Sequence, residues 1–297
     1  MALKALDRLA DAEPLYRRAI AIEQKVLGPA SSEVAASLSN LGELYRKMGR
    51  LAEARDLLKQ ALNVQEKALG PNDAAIAITV HNLAAVSFAQ GQYAEAEALE
   101  RRALAINEKA LGPDDAGVAD DLNAVGDDCH RQGKHAEAES LYAKALAIHL
   151  KLSGKDSNQV AVDLNKLAVL YADEKRYALA EATYRRALAT LEKGLGPDNP
   201  QVAAVLSNLA TLYQNEARYD EAEQAYRRTL TIRQKALGSG SPLVAATLGN
   251  LAQIGMHQGQ MPEAEAMYKQ ALAIAEKALG PNDLQVATLL HLSLIHI

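Results

Sequence analysis

The stretch Leu195–Ala236, LGPDNPQVAAVLSNLATLYQNEARYDEAEQAYRRTLTIRQKA, is the unit from which the chain is built, because the sequence repeats it every 42 residues. Its opening Leu-Gly-Pro recurs at Leu27, Leu69, Leu111, Leu195 and Leu279, with altered copies at Ser153 and Leu237. A fixed period of about 20–50 residues is typical of repeat architectures, in which each unit packs on its neighbours. The sequence therefore predicts an array of one structural unit instead of a single globular core.

Each unit contains two amphipathic helical segments. In the quoted unit, helix A is predicted from about Pro200 to Gln214, with Asn199 as its N-cap. Its apolar residues recur at intervals of three and four, which is typical of a helix with one buried stripe. Helix B follows from about Asp220 to Ala236. It ends at the next Leu-Gly turn, where we expect glycine to form a left-handed C-cap.

Columns of small residues, 42 positions apart, predict close contact between helix backbones. One column is Ala54, Ala96, Ala138, Ala180, Ala222 and Ala264; a second is Ala61, Ala103, Ala145, Ala187 and Ala271, interrupted by Thr229. Large residues stand beside them at Tyr16, Leu58, Tyr142, Tyr184, Tyr226 and Tyr268, with Glu100 as the one polar departure. Glycine closes helix A at Gly49, Gly91, Gly133 and Gly259, which predicts a tight turn before helix B.

The unit resembles the tetratricopeptide repeat. Its signature columns are occupied by Leu209, Ala210, Tyr213, Tyr219, Ala222, Tyr226 and Thr229. The 42-residue period and the motif LGPxxPxVAxxLxNLAxLY are similar to the kinesin light chain variety of that family. The resemblance implies an all-α fold, a right-handed superhelical solenoid of antiparallel helix pairs.

We expect one solenoid over residues 1–291. It would have partial repeats at 1–29 and 282–291 and full repeats at about 30–71, 72–113, 114–155, 156–197, 198–239 and 240–281. Met1–Leu6 corresponds to the end of a helix A, and Asp7–Leu27 to a whole helix B. Residues 292–297, LSLIHI, depart from the repeat and match the translation of a common sequencing adapter, so we interpret them as a non-native tail. Neither end has a polar capping repeat, which favours a fragment of a longer array.

The composition excludes several classes of partner and site. The net charge of −5 argues against nucleic acid, because phosphate binding requires a basic face. No run of about 18 apolar residues predicts a membrane span, and no signal peptide precedes the repeats. The single cysteine, Cys129, excludes an intrachain disulfide and favours a reducing compartment, so we expect a cytoplasmic protein.

A row of asparagines on helix A is the strongest candidate for a binding site. The row is Asn40, Asn82, Asn208 and Asn250, with Asn123 and Asn165 one position earlier in the two units that interrupt it. An amide both donates and accepts, so such a row can pair with the backbone of an extended peptide. The family resemblance implies that helix A lines the concave face and that asparagines there hold peptide backbone. The alternative is that these asparagines bond within or between repeats and only hold the array together.

Neighbouring positions on helix A vary between units, as expected of a surface that selects side chains, although a solvated face varies too. The candidates are Arg46, Asp127, His130, Arg131 and Gln214. Helix B carries a simpler pattern, with a glutamate four residues before an arginine: Glu13 and Arg17, Glu97 and Arg101, Glu181 and Arg185, and Glu223 and Arg227. These predict exposed ion pairs of a few tenths of a kcal/mol each.

No catalytic residue, cofactor or metal is expected. No Ser-His-Asp, Cys-His or carboxylate pair breaks the repeat as a catalytic site would have to. Cys129, His130 and His135 lie near Asp127 and Asp128, but Cys129 stands in a packing column that other units fill with tyrosine. The paired C-x-x-C or H-x-x-x-H spacing of a zinc site is absent.

The leading hypothesis is therefore a non-enzymatic scaffold that receives a peptide segment of a partner protein in its concave groove. One alternative is the sensor arm of a larger signalling enzyme, a STAND-type NTPase or a CHAT-type protease, whose catalytic domain lies outside this chain. Another is self-association through the uncapped ends, because exposed apolar helix faces favour stacking.

Overall fold

The structure is a computed structural model that describes residues 2–294, with side chains described from residue 9 to residue 291. Within residues 2–294 all regular secondary structure is helical. The helices are α1 (Ala2–Leu27), α2 (Ser32–Lys47), α3 (Leu51–Leu69), α4 (Ala74–Ala89), α5 (Tyr93–Leu111), α6 (Ala116–Arg131), α7 (His135–Ser153), α8 (Asn158–Asp173), α9 (Tyr177–Leu195), α10 (Pro200–Asn215), α11 (Tyr219–Leu237), α12 (Pro242–His257), α13 (Met261–Leu279) and α14 (Leu284–Leu294). The tail predicted at residues 292–297 falls outside the described side chains and stays a prediction.

The helices alternate between two kinds, as the repeat predicts. From α2 to α12 the even-numbered A helices have 16 residues, and from α3 to α13 the odd-numbered B helices have 19 residues. Contacts divide the chain into two compact units, one of residues 4–152 and one of the residues from 153 onward. In the second unit, α10 and α11 begin and end within one residue of the predicted bounds.

Local capping chemistry explains where the A helices begin. The predicted cap at Asn199 is confirmed, because its Oδ1 accepts a hydrogen bond from the backbone N–H of Gln201 at 2.9 Å. Ser31, Asp73, Asp115, Ser157 and Ser241 cap the other A helices in the same way.

The turn after each B helix differs in one angle from the prediction. Gly70 has the expected positive φ of 86°, and its N–H donates to the carbonyl of Glu66 at 3.0 Å. Its ψ of 156° is extended and not left-handed helical, so the predicted left-handed C-cap is wrong in this respect. This region of backbone space is essentially open only to glycine.

The predicted break between Leu6 and Asp7 is also wrong, because α1 continues through it from Ala2 to Leu27. The other units turn at this position with a residue of positive φ, such as Gly49 at 76°. Asp7 stands in the corresponding place. Glycine, which adopts positive φ most readily, is absent there, although Lys175 and Ala217 hold the same turn in their own units.

Close contact at the small residues builds the core of each unit. Both alanine columns are confirmed as packing positions, since each of their alanines is at most 1% exposed. In the unit of residues 4–152, the helices are so close that a Cβ added to Gly126 would lie 2.5 Å from Cε1 of Tyr142. The large residues beside the columns belong to the same core, as Leu58 does with Leu44 and Val86 in one hydrophobic cluster.

The turn between helices A and B provides a reciprocal test of backbone strain. Gly91 has a φ of 74°, whereas Ala217 holds the same turn with a φ of 57°. We expect Gly91→Ala to lower the free energy of unfolding by about 1 kcal/mol, and Ala217→Gly to raise it by up to about 1 kcal/mol. A Cβ at Gly91 would meet no atom within 4 Å, so the effect is conformational and not steric. Urea unfolding of both variants measures it, and shifts of the same sign would contradict the explanation.

Candidate functional site

In the unit of residues 4–152, the asparagine row forms a hydrogen bond between two neighbouring A helices. The Nδ2 of Asn82 on α4 donates to the Oγ of Ser39 on α2 at 3.3 Å. Thr79 Oγ1, one turn earlier on α4, donates to the same hydroxyl at 3.1 Å. Hydrogen bonds between repeats, the alternative role for these asparagines, are therefore present at Asn82.

The second unit repeats this arrangement with two amides. The Nδ2 of Asn208 on α10 donates to the Oδ1 of Asn165 on α8 at 3.0 Å. Both side chains are half-buried, as is Asn250 on α12. An amide has two N–H donors and one carbonyl acceptor, so a single bond of this kind engages only part of each group.

The members of the row differ in exposure. Asn40 on α2 is exposed and Asn82 is half-buried. Asn123 on α6 is only 6% exposed, which leaves it less accessible than the sequence suggests. The row is thus accessible at α2 and α4 but closes at α6.

The variable positions of helix A are mostly engaged in contacts within their own unit. Arg46 binds Glu43 through two hydrogen bonds of 2.6 and 2.8 Å. Asp127 accepts a hydrogen bond of 2.8 Å from the hydroxyl of Tyr142. His130 makes a ring contact, because it lies edge-on to His135 with the ring centroids 5.6 Å apart. Arg131 makes a cation–ring contact, because its guanidinium lies 6.0 Å from the centroid of the Phe88 ring. Gln214 on α10 is half-buried.

A polar network joins helix B to the next helix A and its turn. Glu13 accepts hydrogen bonds from Arg17 at 2.9 Å, from the hydroxyl of Tyr45 at 2.6 Å and from Arg50 at 2.6 Å. The Arg50 guanidinium also lies 3.7 Å from the centroid of the Tyr45 ring. Hydrogen bonds from Tyr45 and then from Arg17 lower the pKa of Glu13 to about 2.

The same network recurs four repeats later in the second unit. Glu181 accepts from Tyr213 at 3.0 Å and from Arg218 at 2.9 Å, and pairs with Arg185 at 2.6 Å. The sequence predicted only an ion pair within helix B at Glu13 and Glu181. In the structure each of these glutamates also bonds to residues of the following repeat. Glu223 and Arg227 form the simple pair that the sequence predicts, at 2.6 Å.

A third copy of this network, centred on Glu97, resembles a metal site in composition but not in chemistry. Glu97, Cys129 and Glu137 bring their ligand atoms within 4.8 Å of one another. The Nη2 atom of Arg101 already lies between them, 2.9 Å from Glu97, 2.6 Å from Glu137 and 3.7 Å from the Cys129 sulfur. Burial and then the charge of Glu97 raise the pKa of the Cys129 thiol to about 11, whereas a metal requires the thiolate. These residues fit a guanidinium and not a metal ion.

A buried acidic group on α5 and α6 was not predicted as a site from the sequence. Glu100 and Asp128 are 4% and 1% exposed, and the Oε2 of Glu100 lies 2.9 Å from the Nδ1 of His81. Glu100 was visible as a departure from its column. Asp128 could have been found in the same way, because the other units have aliphatic residues at its position.

Comparison with known proteins identifies the family. A model of the tetratricopeptide repeat matches residues 1–67, 73–151, 158–235, 201–254 and 243–294. The chain belongs to the tetratricopeptide repeat family. None of the curated proteins compared with the chain matches it significantly.

Solved structures narrow the assignment within the tetratricopeptide repeat family. BtubC (BKLC) from P. vanneervenii is 26% identical with a TM-score of 0.63, over 78% of this chain and 93% of that one. A putative kinesin light chain with nearly identical repeats, from Podosopora anserina, is 25% identical with a TM-score of 0.57, over 68% and 95%. RapI, at 14% identity and a TM-score of 0.67 over 91% and 92%, shows the fold alone. The chain is therefore an all-α tetratricopeptide repeat solenoid of the kinesin light chain-like type.

This family assignment establishes a function at a coarse level. The tetratricopeptide repeat is a scaffold that typically serves protein–protein interaction and binds protein partners. Among the described residues, no helix combines the length and the apolar content needed to cross a bilayer.

The network around Glu181 can be tested against an exposed ion pair in the same unit. We expect Glu181→Gln to lower the free energy of unfolding by about 1–2 kcal/mol, because three donors lose their charged acceptor. Glu265→Gln removes the exposed pair with Lys269 and should have a much smaller effect than Glu181→Gln, because solvent screens this pair. Chemical unfolding at pH 7 distinguishes the two variants.

The pH dependence of the Glu181 effect has a defined sign. The hydrogen bond from Arg218 lowers the pKa of Glu181, so its stabilisation is present above the ordinary glutamate pKa and is lost as the pH falls through the lowered value. Wild type and Glu181→Gln should therefore converge in strong acid. Equal effects of Glu181→Gln and Glu265→Gln at pH 7 would show that the bridge to the next repeat adds nothing.

Proposed function

We propose that this chain is a non-enzymatic scaffold that binds an extended peptide segment of a partner protein along its A helices. The observation that carries the proposal is the side-by-side placement of amides on neighbouring A helices, as at Asn208 and Asn165. Each amide keeps hydrogen-bonding groups beyond the one used between repeats. Half-exposed side chains at Asn82, Asn208 and Asn250 leave these groups within reach of a peptide backbone.

The spacing of packed helices fits this ligand. Neighbouring helices pack about 8–10 Å apart, and an extended peptide rises about 3.3 Å per residue. One asparagine would then meet roughly every third residue of the peptide. Three A helices would engage about nine residues, which is a length that a 12-residue peptide can supply.

Peptide selection tests the proposal although the partner is unidentified. A random 12-residue peptide library displayed on phage is selected on the whole chain, and a fluorescent copy of an enriched peptide is titrated by anisotropy. We expect the double variant Asn82→Ala, Asn208→Ala to bind about 5–150-fold more weakly, because two lost hydrogen bonds are worth about 0.5–1.5 kcal/mol each. Its helical content should stay unchanged and its melting temperature nearly so.

Matched controls separate the A helices from the rest of the surface. Gln60→Ala and Gln224→Ala remove exposed amides from the B helices α3 and α11, and should leave the affinity unchanged. Unaltered binding by the asparagine variant, or equal losses in the controls, would contradict binding along the A helices. Collapse of folding in the asparagine variant would make these asparagines structural.

Self-association has to be measured in the same experiment, because the outer helices expose large apolar side chains. Leu15 and Val26 on α1 are 68% and 72% exposed, and Leu284 on α14 is 81% exposed. Light scattering over a range of protein concentrations distinguishes an assembly of copies from a peptide complex.

A further inference from the structure

Asp128 on α6 occupies a position that every other complete unit reserves for an aliphatic side chain. The equivalent residues are Leu44, Val86, Leu170, Leu212 and Ile254, and each is at most 6% exposed. Asp128 is as deeply buried, at 1%. Neither of its carboxyl oxygens has a hydrogen-bond partner among the described residues. A carboxyl group buried in this way is destabilised in its charged form.

A second buried acid lies close enough to Asp128 for its charge to act on the Asp128 carboxyl group. Leu58 on α3 and Val86 on α4 pack in one hydrophobic cluster, and the same two positions in the next repeat are Glu100 on α5 and Asp128 on α6. Glu100 is 4% exposed. Two carboxyl groups have therefore replaced two apolar members of one hydrophobic cluster.

The charged groups around this pair come from each helix packed against it. His81 on α4 binds Glu100 at 2.9 Å, and Glu97 on α5 is neutralised by Arg101 and by Lys134 at 2.6 Å.

On α6 itself, Asp127 is held by the Tyr142 hydroxyl of α7, and Asp121 accepts from Asn107 of α5 at 2.7 Å. Burial and then the charge of Glu100 raise the pKa of Asp128 to about 7. The neighbouring carboxyl groups are thus each paired with a cation, an amide or a hydroxyl, whereas Asp128 has no hydrogen-bond donor within the described part of the chain.

We propose that the contact between α5 and α6 is a pH-sensitive joint, which packs tightly when Asp128 is neutral and loosens when Asp128 ionises. A neutral carboxyl group carries no charge and is therefore closer in polarity to the aliphatic side chains that the other repeats have at this position. An ionised one places an unpaired charge beside Glu100 in the same buried contact.

The direction of the effect follows from proton linkage. The pKa of Asp128 is higher in the folded chain than in the unfolded chain, so the stabilisation is present at low pH and is lost as the pH rises through about 7. His81 acts in the same direction, because its bond to Glu100 raises its pKa. Glu97 acts in the opposite direction and only in strong acid, since its burial is outweighed by hydrogen bonds, led by Lys134, that lower its pKa to about 2. The pKa of Asp121 is also raised by burial, so the window between pH 5.5 and 8 excludes the effect of Glu97, and the Asp128 and His81 variants assign the remaining effect.

Hydrogen exchange of the intact chain at pH 5.5 and 8.0 tests the joint directly. After correction for intrinsic exchange, opening of α5 and α6 should increase roughly 30-fold between these pH values, given a shift from the ordinary aspartate pKa to about 7. Peptides from α12 and α13 in the second unit should show no such increase. Asp128→Leu, which restores the aliphatic residue of the other repeats, should remove most of the increase and raise the melting temperature at pH 8.

Three further variants make the result specific. Asp128→Asn removes the titrating group with little change of size, and gives the same answer if the leucine variant fails to fold. Glu108→Gln removes an exposed charge from α5 and should keep the wild-type pH dependence. His81→Gln should remove only the smaller part of the increase in exchange, the part that is due to titration of the imidazole. A wild-type pH dependence in both Asp128 variants, or equal exchange of α5 and α6 at the two pH values, would overturn the proposal.

Discussion

Contact between helix backbones at the alanine columns is the constraint on which the rest of the structure depends. Ala54, Ala96 and Ala138 are wholly buried, so a much larger side chain at these positions would have to displace its neighbours. Every A helix from α2 to α12 therefore keeps the same length and the same offset from its B helix. That regularity places residues 42 or 43 positions apart side by side, as Asn208 and Asn165 are. The candidate binding row is thus a consequence of the packing.

Features set by neighbours in sequence could be predicted. The Asn199 cap, the bounds of α10 and α11 and the buried alanines each depend on a few adjacent residues, repeated often enough to be recognised. The continuous α1 shows the limit of such prediction, because alignment to the repeat suggested a turn at Asp7 that the helix does not make. Agreement with a period cannot replace the local chemistry that forms the turn.

Features set by contacts across repeats were only partly predictable. The pairing of Glu181 with Arg185 is visible at a spacing of four, but Tyr213 and Arg218 join them from 32 and 37 residues away. The candidate site shares this limit. The asparagine row could be read from the period, whereas the low exposure of Asn123 depends on how α6 packs among its neighbours.

Departures from a packing column differ in how the fold accommodates them. Thr229 interrupts an alanine column, yet its hydroxyl donates to the carbonyl of Ala225 at 2.9 Å, and Ser87 does the same to Leu83 at 3.1 Å. These substitutions satisfy their polar groups on their own helix and leave the contact between helices intact. A carboxylate at Asp128 finds no donor among the residues that the structure describes, so it has no such local solution.

A repeat protein therefore supplies its own internal controls for polar residues in the core. At the position of Asp128, the five other complete units show that packing alone is satisfied by an aliphatic residue. At the position of Glu100, Leu58 and the equivalent tyrosines show that packing alone is satisfied by a large, mostly apolar residue. Two acids replacing one apolar contact cost stability when charged and much less when one of them is protonated. The departure therefore makes the packing of α5 on α6 depend on proton concentration, while the other repeats keep apolar contacts at the same positions.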